Sequence, residues 1–97
     1  MNECEFSSYL RKKGTSLKVC SDTISRLKRV EKSIKECDLD DEYQKDKCVS
    51  LLMLFNNKGI NDEMKKVHIG TLPIGSYTLS TFRYAIRKYI SFREERT

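Results

Sequence analysis

Between Leu79 and Arg93 the residues Leu79, Phe82, Ile86, Tyr89, Ile90 and Arg93 recur with the period of one helix face. A stripe with that period has to be buried against something, and this need constrains the chain more than any other feature. Thr78 or Ser80 offers the N-cap. The same period returns in Leu17, Cys20, Ile24, Leu27, Glu31 and Ile34, with Val30 widening the stripe. Thr15-Ser16 can cap that run, or Ser21 or Asp22 a helix that begins later, and its end is expected near Cys37. A short opening helix from Glu3 to Lys13 carries Phe6, Tyr9 and Leu10 on one side and stops at Gly14.

A third helix is expected from Glu42 to Phe55, where Val49, Leu51, Leu52, Met53, Leu54 and Phe55 are nearly continuous. Being apolar on most sides, it is expected to be the most buried element. The acidic Asp38-Leu39-Asp40-Asp41 before it reads as a connector of solvated carboxylates, with Asp40 or Asp41 able to cap the helix. Asn56-Asn57-Lys58-Gly59 supplies the stop, because these residues tolerate left-handed backbone. From Ile60 to Tyr77 the glycines and Pro73 break any long period, so a loop is expected, with one helical turn around Asp62 to Val67. Leu72 and Ile74 would anchor it, and any β-structure is expected between Val67 and Ile74.

The expected fold is therefore all-α, a compact bundle of four helices, or five with the turn in the loop. At 97 residues the chain (1–97) makes one domain, since two cores would each be too small. Nothing approaches the roughly 20 apolar residues that span a bilayer, and Met1-Asn2-Glu3-Cys4-Glu5 resembles no signal peptide. A cytoplasmic location follows as the expectation, with Cys4, Cys20, Cys37 and Cys48 as free thiols. Their wide spacing and the single His68 do not match a zinc site, so neither metal nor other cofactor is expected.

Nineteen Lys and Arg against fourteen Asp and Glu give a net charge of +5. What matters is whether the excess is clustered. On the second helix Arg26, Arg29 and Lys32 follow at three-residue steps, opposite Ile24 and Leu27. On the last, Arg83 and Arg87 stand four apart, and Tyr84 and Lys88 form a second pair. Such cations suit nucleic-acid phosphates, whose neutralisation releases condensed counterions. No glycine-rich phosphate loop, H-E-x-x-H or G-x-S-x-G element is present, so no catalysis or small-molecule substrate is expected.

Four stretches together carry a family resemblance: Phe6-Ser-Ser-Tyr9-Leu10, Lys13-Gly14-Thr15-Ser16, Thr23-Ile24-Ser25-Arg26-Leu27, and the run from Ser80 to Phe92 with Arg83 and Arg87 inside it. They resemble the N-terminal SAM-like, core-binding domain of phage integrases and other tyrosine recombinases. The resemblance implies a helical half-clamp on duplex DNA, contacting phosphates and the major groove, while a separate catalytic domain cleaves. Carried over, it places Thr23, Arg26, Arg83 and Arg87 near DNA; helix-face reasoning adds Arg29, Lys32 and Lys88. The long Ile60 to Tyr77 connection and the acidic Asp38 to Glu42 linker depart from the family's pattern. Short helical domains beside bacterial restriction and other defence nucleases look similar. A second reading is therefore a protein-interaction or self-association module, using Leu51, Met53, Leu54 and Phe55 or the Leu72-Pro73-Ile74 loop.

Overall fold

A computed structural model of the chain describes residues 1–96. Helix α1 spans Glu3–Lys12, where the Asn2 side chain accepts the Glu5 N–H, and acidic residues at its start and basic ones at its end match the helix dipole. Helix α2 spans Leu17–Ser33 and is capped by Ser16, whose hydroxyl accepts the Val19 N–H. The last helix, α6, spans Leu79–Arg96 and buries Leu79, Phe82, Ala85, Ile86, Tyr89 and Phe92. Asn2 meets Tyr89 while Lys13 meets Glu95, so α1 and α6 run in the same direction. Lys28 pairs with Glu3, which sets α2 antiparallel to both. At the centre Phe6 meets Tyr89 edge-on at 5.0 Å between ring centroids, with Phe92 5.4 Å from each.

Helix α2 stops four residues before the expected end near Cys37. Ile34 turns to extended backbone and forms an isolated antiparallel bridge with His68. The Ile69 N–H donates to the Ser33 carbonyl and the Lys35 N–H to the Val67 carbonyl, both at 2.8 Å. Nothing local breaks the helix here; burying Ile34 against the loop does. The approach is close enough that a Cβ on Gly70 would lie 2.3 Å from the Ser33 hydroxyl oxygen and 2.7 Å from the Ser33 Cα. Among the described residues this bridge is the extent of the β-structure expected between Val67 and Ile74.

The expected third helix is two helices, α3 (Leu39–Asp46) and α4 (Val49–Met53), broken where Lys47 and Cys48 both take left-handed backbone. The break lets Leu39, Tyr43, Cys48, Leu51 and Phe55 all reach the core. It also overturns the expectation of maximal burial, because Val49 and Met53 are 54% and 60% exposed. A five-residue helix at the surface cannot be covered on every side. After an elbow at Asn56–Gly59, α5 (Asp62–Val67) occupies the place expected for a single turn, capped by Asn61, which accepts the Met64 N–H at 2.8 Å. Leu72 is buried and Ile74 packs against the core, as the anchoring role requires.

The acidic connector is not simply solvated. Asp38 is the α3 cap, accepting the N–H groups of Asp40 and Asp41. Asp40 instead accepts the Tyr89 hydroxyl at 2.6 Å and the Arg93 guanidinium, and lies 3.4 Å from the Met1 ammonium. Arg93 stacks over Tyr43, and Tyr89 accepts the Asn2 N–H. Burial alone would raise the Asp40 pKa, but the Tyr89 hydrogen bond and then Arg93 outweigh it and hold the carboxyl below its usual range.

Two measurements test these contacts. Gly70→Ala is expected to lower stability by about 1–3 kcal/mol in thermal denaturation, because Ser33 presents backbone as well as side chain to the new methyl. Asp40→Asn is expected to cost on the order of 2 kcal/mol at neutral pH, by weakening hydrogen bonds that involve a charged group. A carboxyl with a depressed folded pKa stabilises above its unfolded pKa and loses that contribution as pH falls through the folded value. The gap between wild type and variant should therefore close from about pH 5 toward pH 2.

Candidate nucleic-acid interface

Along α2 the expected residues divide by depth. Arg26 is half-buried and Lys32 exposed. Arg29 is also exposed, yet its guanidinium lies 5.5 Å from the centre of the Phe82 ring on α6 and donates to the Thr71 carbonyl. It therefore clasps the loop to α6 while keeping other donors free, since a guanidinium carries five. Thr23 departs from the expectation. It is 2% exposed and sits in the buried stripe with Cys20, Ile24 and Leu27, so its hydroxyl is withdrawn from any phosphate.

Along α6 Arg87 is exposed, while Arg83 is half-buried with its Nε buried and lacking a hydrogen-bond partner. Lys88 lies 5.4 Å from the centre of the Tyr84 ring, so that expected pair does meet. Helical geometry separates these cations: from Phe82, Arg83 and Arg87 stand about 100° and 140° round one way, Lys88 about 120° round the other. Arg29 reaches α6 at Phe82 itself. The two basic helices thus meet at one seam, and the Arg83/Arg87 pair flanks it instead of merging with Lys88.

The charge distribution is the informative part. The cations held by carboxylates within 4 Å are the Met1 ammonium, Lys13, Lys28, Arg93 and Arg96. Among the described residues Arg26, Arg29, Lys32, Arg83, Arg87 and Lys88 have no such partner. No family model matches the chain, and no curated protein or solved structure matches it either. The site is accordingly described by its own residues.

One participant is not visible in the sequence pattern. Lys58, in the elbow after α4, lines a concavity of about 290 Å³ together with Tyr77, Ser80 and Arg83, with buried Phe55 and Leu79 at its base. Asn57-Lys58-Gly59 reads only as a helix stop, and nothing in its spacing links it to Arg83. The apolar surface of the second reading is smaller than expected. Leu51, Phe55 and Leu72 are core residues, Leu54, Pro73 and Ile74 are half-buried, and Met53 alone of that set is exposed. No helix among the described residues is long and apolar enough to cross a membrane.

Burial leaves the thiols other than Cys4 with little reactivity. Cys4 is exposed, Cys37 is half-buried, and Cys20 and Cys48 are buried. Burial, reinforced by Glu42, pushes the thiols of Cys37 and Cys48 up to about 12. His68 accepts the Leu72 N–H through Nε2 at 3.3 Å, which places it in the loop scaffold. In an Ellman titration near pH 8, Cys4 is expected to react at once, with Cys20 and Cys48 following only on denaturation.

Proposed function

We propose that this chain is a non-catalytic DNA-binding module that holds duplex phosphates through Arg26, Arg29 and Lys32 on α2 and Arg83, Arg87 and Lys88 on α6. The observation that carries the reading is that six cations without carboxylate partners among the described residues stand on the two helices that meet at the Arg29–Phe82 contact; other surface lysines and arginines also lack such partners but are not gathered there. The carboxylates that do pair with cations engage the Met1 ammonium, Lys13 just after α1, Lys28 on α2, and Arg93 and Arg96 in the C-terminal part of α6. An uncompensated cation gains by meeting phosphate without first giving up a protein partner. Thr23, being buried, has no part in the contact. The resemblance to core-binding domains supports the same role: the chain holds DNA while another domain does the chemistry.

Binding to a short duplex is expected to weaken steeply with salt. Six phosphate contacts correspond to a slope of about −5 in log affinity against log salt. Arg26→Ala with Arg87→Ala should make that slope shallower by about 2 and weaken every duplex sequence alike, as read by fluorescence anisotropy. A titration unchanged at low salt would show that the surface is wrongly assigned.

A second reading, self-association, is favoured by exposed Val49 and Met53 on α4. It requires light scattering to show growth in mass with concentration, and a strictly monomeric chain removes it.

A further inference from the structure

The concavity between the elbow and the start of α6 differs in its charge from four other hollows of the surface. Four other hollows each include a carboxylate: Glu5 and Glu95 in one, Asp46, Asp40 and Glu63 in the others. The hollow at Lys58 and Arg83 has two cations and no carboxylate. Neither cation has an ion-pair partner among the described residues, and the buried Arg83 Nε has no acceptor at all. A buried N–H without an acceptor is costly and uncommon, and it marks a guanidinium that no carboxylate occupies.

The backbone beneath Lys58 is built for its position. Asn57 and Lys58 both hold left-handed conformations, at φ 54° and 56°, which non-glycine residues seldom adopt. Three hydrogen bonds impose this shape: the Gly75 N–H to the Lys58 carbonyl at 2.7 Å, the Ile60 N–H to the Asn57 carbonyl, and the Asn57 side-chain amide to the Ile60 carbonyl. Gly59 follows at φ +81°, where a Cβ would stand 2.9 Å from Ile74 and Leu79. The α6 helix end is not the anion's ligand, because the N–H groups of Leu79, Ser80 and Thr81 already donate to the carbonyls of Ser76, Tyr77 and Thr78. The free donors at the hollow are therefore the two cationic side chains.

Beside them Tyr77 is 79% exposed. An aromatic ring at a cationic rim is how proteins stack an unpaired base next to its phosphate, whereas the bases of an intact duplex are already stacked. We propose that Lys58 and Arg83 hold a phosphate of a single-stranded nucleotide whose base stacks on Tyr77. This site gives the chain a strand-binding function beyond the duplex face of α2 and α6, with which it shares Arg83, and it rests on the preceding reading in taking nucleic acid as the ligand.

The test compares a fluorescein-labelled twelve-residue oligothymidylate with a duplex of equal length, using the full chain at one salt concentration. Lys58→Asn removes the charge while keeping a residue that tolerates left-handed backbone, and Tyr77→Leu removes the ring at an exposed position. Each is expected to weaken single-strand binding roughly fivefold or more, from the usual worth of stacking and charge contacts, and to leave duplex binding within twofold. Arg26→Ala is expected to do the reverse. Single-strand affinity indifferent to both Lys58→Asn and Tyr77→Leu overturns the site, whatever the duplex does. Equal losses for both ligands overturn it too, since they would signify general charge attraction. Duplex binding indifferent to Arg26→Ala, with the strand effects intact, overturns only the duplex face. Circular dichroism melts of both variants guard against misfolding, and Tyr77→Leu, whose side chain makes none of the elbow's three hydrogen bonds, stands as the independent arm.

Discussion

The Tyr89 hydroxyl is the point from which the rest of the molecule is organised. Its ring is fully buried among Phe6 and Phe92, yet the polar tip has to be satisfied. It accepts the Asn2 N–H and donates to Asp40, so one side chain of α6 ties the start of α1 to the start of α3. Arg93, one turn further on, completes the pairing. Glu31 joins from α2 by accepting the Leu39 N–H and facing the Met1 ammonium. Four elements are thereby fixed relative to one another around a few polar atoms.

This junction also shapes the surface charge. Asp38, Asp40 and Glu31 gather around the Met1 ammonium, while Glu3, Glu5 and Glu95 pair with Lys28, Arg96 and Lys13. Six of the fourteen carboxylates are thereby engaged around Met1, α1 and α6, while most of the Lys and Arg side chains that give the net charge of +5 stand outside these pairs. Arg26, Arg29 and Lys32, the Arg83/Arg87 pair with Lys88, and Lys58 belong to the larger set of cations that have no carboxylate partner among the described residues. Electrostatic asymmetry here follows from how the fold is tied together.

Much of the architecture was legible from local chemistry. The stripes of α1, α2 and α6, the Ser16 cap and the turn at Asp62–Val67 all follow from side-chain period and cap residues. The failures share a cause at longer range. Helix α2 ends because Ile34 and Ser33 are engaged by residues 67–70, which no window around Cys37 can reveal. The break at Lys47–Cys48 carries no Gly or Pro; it exists because Cys48 and Leu51 are drawn inward together. Thr23 is different. Its spacing from Cys20 and Leu27 already puts it in the apolar stripe, so the signal is present and the family resemblance outweighed it. The cationic hollow was half legible: Arg83 stood out on its helix, whereas Lys58 is brought there by two left-handed residues that leave no trace in periodicity.

The contact of Gly70 with Ser33 has a consequence for how the chain can vary. It pins together two points separated by most of α3, α4, the elbow and α5, so that this segment leaves the three-helix core and returns to it at one place. For a stretch with both ends fixed, the entropic penalty of added length grows only logarithmically, about 0.6 kcal/mol per doubling. The segment is thus a lobe that can gain length at its exposed turns, while Asp40 and its buried residues keep it tied to a constant frame. Arg83 belongs to the frame and Lys58 to the lobe, so the hollow between them can be retuned by changes in one without rebuilding the other.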